Sequence, residues 1–348
     1  MCIGRNGMIV VAVGSLLAAC DREVTAPAAP EPAEVRSELA GAAASWSLKA
    51  PLPKARSNAK AATVDGVVYV IGGMVSTPAT GLQVRARVDA YDVASNTWTP
   101  KKALPEALIP HGATSIKGKI YVAGGWTHER LSRRLYVYDP RTDSWTRKAD
   151  MPFTIDRSAG HQGMIDGKLY VYAGVTVKGD GSPGPHRFFR YDPASNTWTT
   201  LGRPPYSRRG GASGVIDGKL YLVGGTLGTS QNGASDVHVY VPTAGWTTRA
   251  LGLHDLDGGL AYAPLGGKLY IVGTGSRDDC TYDVSKVYDP VSNSVSPFSP
   301  LPPRASRATG VAAKGQFFVL GGADIEPDDM GCAWNTGRVT EEVWAYTP

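Results

Sequence analysis

Charge is scarce in this chain. Asp, Glu, Lys and Arg make up 19% of its 348 residues, and the formal charge of +5 is dispersed, with no long Lys/Arg run. Proteins that bind nucleic acid concentrate basic residues on one face or segment, so no nucleic-acid partner is expected. Histidine is sparse as well: His111, His128, His161, His186, His238 and His254 show no metal-like spacing, and neither a metal nor another cofactor is expected. Long apolar runs are missing too, since the stretch from Met8 to Ala19 is too short to span a bilayer comfortably. Of the four cysteines, Cys2 and Cys20 lie in the first twenty residues, which leaves only Cys280 and Cys332 beyond them.

The opening MCIGRNGMIVVAVGSLLAAC places Arg5 before that apolar stretch, the layout of an export signal rather than a membrane anchor. Leu17-Ala18-Ala19-Cys20, directly after it, resembles the bacterial lipoprotein signal, in which cleavage precedes a cysteine that becomes lipidated. The resemblance implies a signal peptide over 1–19, lipid on Cys20 and a place in the bacterial cell envelope, periplasmic or outer-surface. Acyl chains there would hold the protein to a membrane, each buried methylene contributing about 0.8 kcal/mol. Residues 20–44, rich in Pro, Ala and Glu, read as a flexible linker.

What the chain has in quantity is Gly (42) and Pro (25), the punctuation of many short strands. The glycines recur in register: Gly72-Gly73, Gly124-Gly125, Ala173-Gly174, Gly224-Gly225, Gly273-Thr274-Gly275 and Gly321-Gly322, at spacings of 48 to 52. Trp46, Trp98, Trp145, Trp198 and Trp246 form a second register, with Val295 in the next place. Such a period marks an array of identical supersecondary units. Within residues 113 to 147, two alternating strands meet at Lys117-Gly118, a third strand RLYVYD follows, and a fourth, DSWT, closes the unit. The two-residue turn recurs at Asp65-Gly66, Asp166-Gly167, Asp217-Gly218, Gly266-Gly267 and Lys314-Gly315. Each unit is thus a four-stranded antiparallel sheet that cannot bury both faces alone, and six stacked radially solve the problem.

The last unit stops after three strands, whereas the segment around Trp46 is a fourth strand without a preceding three. Pairing the two closes the ring. Gly-Gly, then Tyr-Asp, then a Trp about six residues on, as in YDVASNTW at 91 to 98 and YDPASNTW at 191 to 198, resembles the kelch repeat. The resemblance covers residues 45–348 and implies an all-β, six-bladed β-propeller; Val241 in the Asp position and the missing Trp of the fifth unit depart from the pattern.

Because each turn reverses the chain, the long second and fourth connections share one face of the disc, and chemical variety is expected there. Arg56, Arg157 and Arg208 each stand ten residues before a hairpin glycine, with Arg209, Arg304 and Arg307 near the same level. Radial symmetry carries them toward the channel mouth, where with His111 they could receive carboxylates; the alternative is that each pairs with a carboxylate or carbonyl of its own blade. Arg85, Arg87, Arg130, Arg133, Arg134 and Arg187 oppose Asp278, Asp279, Asp324, Glu326, Asp328 and Asp329, which suits either oriented docking or plain solvated loops. Cys280 and Cys332, in equivalent loops of adjacent units, are expected to form a disulfide.

The function expected is recognition of a protein, peptide or glycan with acidic groups by a monomer tethered in the envelope. Two enzymatic alternatives come from the resemblance. Kelch propellers include a copper radical oxidase, whose Cys-Tyr cross-link and two histidines find no matching spacing around Cys280 and Tyr282. They also include a periplasmic sialic-acid mutarotase, for which the arginines and His111 or His161 could serve, although no acid/base pair can be picked from the sequence.

Overall fold

Two residues in the left-handed region close the first hairpin of each repeat, as at Asp65 (φ 51) and Gly66 (φ 80) or Lys117 (φ 48) and Gly118 (φ 74). This is the turn whose twist matches that of the flanking strands. In a computed structural model of the protein, the described residues are 44–348 apart from 78–79, 156–159, 178–182, 228–233, 253–255, 257–258, 274–283, 303–304 and 325–337. Residues 1–43, which hold the expected signal peptide, Cys20 and nearly all of the expected linker, lie outside them, as do Cys280 and Cys332.

Each hairpin extends to a four-stranded antiparallel blade. The first pairs Lys60–Val64, Val67–Ile71, Val88–Asp92 and Thr97–Lys101 in that order, and the next four blades repeat it. In the sixth blade Thr309–Ala313, Gln316–Leu320 and Val343–Thr347 accept Ser45–Leu48 as the fourth strand, with Trp46 opposite Tyr346. The first strands of successive blades touch one another around the whole circle, the sixth meeting the first. The fold is therefore an all-β, six-bladed propeller, closed by its own N-terminal strand.

The Tyr-Asp and Trp positions join blade to blade. Tyr91, fully buried, donates to Asn96 Oδ1 at 2.6 Å, and Asp92 Oδ1 caps the turn by accepting the Ala94 and Ser95 amides. Asn96, at φ 55, also accepts the Ala50 amide of the sixth blade at 2.9 Å, while Trp98 Nε1 donates to the Ala50 carbonyl. Asp143 and Trp145 hold Lys102 of the first blade in the same way, and Asn196 and Trp198 hold Ala149 of the second. Each such clamp satisfies both peptide groups of one residue, and a hydrogen bond of this kind adds about 1 kcal/mol.

Where the kelch pattern lapses, the clamp changes. In the fifth blade Val295 replaces Trp, and Asn293 Nδ2 donates to the Ala250 carbonyl instead. In the fourth blade the turn Tyr240-Val-Pro-Thr-Ala-Gly-Trp246 is one residue shorter, the Asn seat is gone, and Trp246 Nε1 is buried without a hydrogen-bond partner among the described residues.

The paired glycines end the second strands where backbones crowd. A Cβ on Gly73 (φ 95) would lie 2.7 Å from the Ser57 carbonyl oxygen, so no larger residue fits. That crowding comes from pairings that the repeat pattern did not reveal. The segment leading into a blade forms a two-residue ladder with the start of that blade's long connection: Ile109–Pro110 with Gly125 and Trp126, Arg208–Arg209 with Thr226–Leu227, and Ala305–Ser306 with Ala323–Asp324. An outer hairpin, Met74–Thr77 with Gly81–Val84, further builds up this face of the first blade.

Candidate functional site

The six first strands leave a cavity of about 390 Å³ on the axis, lined by one short stretch from each blade. Their starting ends lie on the face of the long connections, because the two-residue hairpins close the opposite ends. No carboxylate among the described residues lines the cavity. The polar side chains that do include Lys60, His111, Gln162, Ser213, Tyr262 and Thr309.

His161 organises the polar wall from just behind it. Its Nε2–H donates to the Gly210 carbonyl at 2.8 Å, which leaves Nδ1 as acceptor for Ser213 Oγ at 3.0 Å and Tyr262 OH at 3.2 Å. Burial pushes the His161 pKa down to about 4, with the charges of Lys60, Arg208 and His111 adding to the effect against the Gly210 hydrogen bond. The ring is neutral at ordinary pH. Burial raises the Tyr262 hydroxyl and lowers the Lys60 ammonium, for which it is the sole cause. Gln162 donates to Thr114 Oγ1 and the Tyr121 carbonyl, but its buried Oε1 has no hydrogen-bond partner among the described residues. Gly160 leaves room for His111: a Cβ there would fall 2.7 Å from the histidine Cβ.

His111 is thus in the channel, whereas Arg56 and Arg208 are not. Arg56, 1% exposed, pairs with Asp89 at 2.8 Å and donates to the Lys54 and Val70 carbonyls, while Arg87 reaches the same carboxylate. Arg208, 0% exposed, is held by the Gly224 carbonyl and the Asp236 carboxylate. Both fasten the leading segment of a blade to its third strand. Arg209 sits half-buried in the ladder opposite Thr226, and Arg307 (φ 58) bridges neighbouring segments through its backbone, to Gly259 and Asn58. Arg157 and Arg304 lie outside the described residues.

The loop arginines are largely engaged as well. Arg130 and Arg134 share Glu106, Arg133 donates to the Pro152 carbonyl, and Arg187 lies over the Phe153 ring. Of the opposing acidic residues, only Asp324 falls among the described residues. No group of three or more His, Cys, Asp or Glu side chains placed to hold a metal occurs among the described residues.

Lys60 was not anticipated. One signal pointed to it: when the repeats are aligned on their hairpins, Lys60 takes the place of Gly112, His161, Ala212, Ala261 and Thr309, and so shares its position in the blade with the candidate His161.

Comparison with known proteins matches the description of the propeller. The family model described as the KLHDC2/KLHL20/DRC7 Kelch-repeats domain fits residues 41–225 and 110–322 in two overlapping passes. Kelch-like protein terF of Aspergillus terreus is 27% identical over 284 residues, covering 78% of this chain and 61% of that protein. The human Kelch repeat and BTB domain-containing protein 12 is 29% identical over 183 residues, 47% of this chain and 29% of that one. The chain therefore spans less than two thirds of the length of these relatives. A solved structure titled "Structure of YjhT" superposes with a TM-score of 0.66 at 16% identity, covering 86% of this chain and 97% of the other, which shows the shared fold.

Proposed function

As this chain belongs to the kelch-repeat family and closes into a six-bladed propeller, we propose that it is a recognition module for a protein, peptide or glycan, which docks on the face of the long connections and sets an acidic group into the channel. Envelope tethering through lipid on Cys20 is part of this reading and draws on the leader alone. The observation that carries the binding site is the charge of the channel wall: Lys60 lines it, and no carboxylate among the described residues does. A cation lining a channel without a counter-ion among the described residues favours an anionic guest, and a cavity of this size accommodates a side chain or a single sugar.

Calorimetry on the full-length chain in detergent, with acidic and matched neutral oligosaccharides and peptides, tests it. Acidic ligands are expected to bind, more weakly as salt rises, and to lose affinity in Lys60→Met; equal binding of the neutral set would overturn the reading. Tethering is tested by metabolic lipid labelling, which Cys20→Ala should abolish.

A sugar mutarotase of the sialic-acid type is the second reading. The His161–Tyr262 pair favours it, since a histidine fixed in one tautomer beside a phenol can relay a proton. Its low pKa makes His161 a weak base, so anomer exchange followed by NMR should show at most slow catalysis, lost in His161→Gln.

A further inference from the structure

Lysines inside proteins are normally paired, because an unpaired buried ammonium is costly. Lys60, half-buried at the channel wall, departs from this. It stands in the first strand of the first blade among Ala59, Ala61 and Ala62, lines the channel, and has no ion pair with any described residue. The ionisable groups around the same space are His111, His161 and Tyr262, none of which supplies a negative charge at neutral pH. Stabilising the ammonium is left to whatever enters the channel, and burial alone shifts the balance toward the neutral amine.

We propose that Lys60 is a nucleophilic lysine and that the channel captures a small aldehyde or ketone as an imine on its Nζ. The geometry supports the chemistry at three points. Lys60 lines a cavity of about 390 Å³, large enough for a carbonyl compound of a few carbons. Ser213, Tyr262 and Thr309 supply hydroxyls for hydroxyl groups on the guest. Burial holds the amine pKa below that of an ordinary lysine, which raises the fraction carrying a lone pair. In the reaction that lone pair attacks the carbonyl carbon, the carbon–oxygen π pair moves to oxygen, and a proton passes from nitrogen to oxygen to give a carbinolamine. Protonation of its hydroxyl by water, departure of that group as water and donation of the nitrogen lone pair form an iminium, whose N–H proton passes to the hydroxide left behind, giving the neutral imine. Amine and carbonyl give imine and water, so no oxidant or reductant is needed, and hydrolysis reverses the step.

This inference shares Lys60 with the recognition reading, so the test separates them. The full-length chain is incubated with glyoxylate, or with oxalate, which has carboxylates but no electrophilic carbonyl, and cyanoborohydride is added before peptide mass mapping. The expected result is a carboxymethyl adduct on Lys60 at neutral pH, ahead of the exposed Lys54, Lys102 and Lys117, persisting to lower pH than theirs and slowed by excess oxalate. Lys60→Arg, which keeps the charge, should lose that adduct and no other. Should Lys60→Arg fail to fold, the comparison with the exposed lysines in the unaltered chain still decides. Labelling of Lys60 at the same rate and pH dependence as the exposed lysines would make it an ordinary amine and overturn the proposal. So would a Lys60 left unlabelled while the exposed lysines react. Lys60 protected by oxalate from other amine reagents yet untouched by glyoxylate would also overturn the imine, while leaving the anion seat of the recognition reading in place.

Discussion

Two buried ionisable residues show how this chain spends its few charges. Asp89, fully buried, faces both Arg56 and Arg87, and the Arg56 guanidinium has nowhere else to place its charge. Removing one partner of a buried pair strands the other, a loss of roughly 3–5 kcal/mol. Asp89→Ala is therefore expected to destabilise the propeller by about that much in denaturant titration, and Arg56→Met, which removes the stranded charge instead, by less. Equal losses would show that packing, not the ion pair, holds the segment. His161 makes a prediction in pH. Its pKa is about 4 in the folded chain and 6.5 unfolded, so the unfolded chain binds a proton that the folded one refuses. The associated stability is complete above about pH 6.5 and is lost as pH falls toward 4, amounting to about 3 kcal/mol. His161→Gln should flatten the difference between melts at neutral and acidic pH, and an unchanged difference would mean that His161 is protonated in the fold.

At the scale of the element, the clamp between blades ranks four of the five interfaces that carry a Trp. The amides of Ala50, Lys102 and Ala149 are each held by an Asn or Asp side chain of the next blade, whereas the equivalent Gly202 faces the shortened turn before Trp246 and donates to no described residue. Hydrogen exchange should find the Gly202 amide fast and the other three protected, with the seam between the third and fourth blades opening first; comparable protection of all four would show that the clamps are incidental. The same elements mark what could be read in advance. The x-Gly hairpins, the Tyr-Asp turns and the Trp register were legible because each is a local requirement, a positive φ or a ring packed within a few residues. The two-residue ladders on the long-connection face were not, since they join short segments without periodicity. Arg56 and Arg208 could be placed near the channel level by their spacing, but their partners, Asp89 and Asp236, come from third strands and decide that they turn into their own blades, away from the channel. Lys60 shows the converse: a lone charge among alanines looks solvated until the ring closes around it.

For the whole molecule, the decisive contact joins the chain's two ends. Trp46 packs within 5.2 Å of the Tyr346 ring centroid and within 6.1 Å of those of Phe298 and Phe317, and its Nε1 donates to the Ser299 carbonyl of the fifth blade. Three residues further, Lys49 donates to the Val343 carbonyl, and Ala50 belongs to the clamp of the first blade. One short segment thus binds the fifth, sixth and first blades. Truncating a large aromatic side chain in such a setting costs roughly 3 kcal/mol, so Trp46→Ala should be destabilised by that order. The rate that changes is also determined by the topology. Pairing Ser45–Leu48 with Val343–Thr347 closes a loop of nearly the entire propeller, and the entropy of that closure defers the contact until the blades between are formed. An interaction absent from the folding transition state acts on unfolding alone. Stopped-flow kinetics should therefore show Trp46→Ala unfolding faster with an unchanged folding limb. A slowed folding limb would mean that the two ends meet early, and that the ring is assembled around its latch rather than sealed by it.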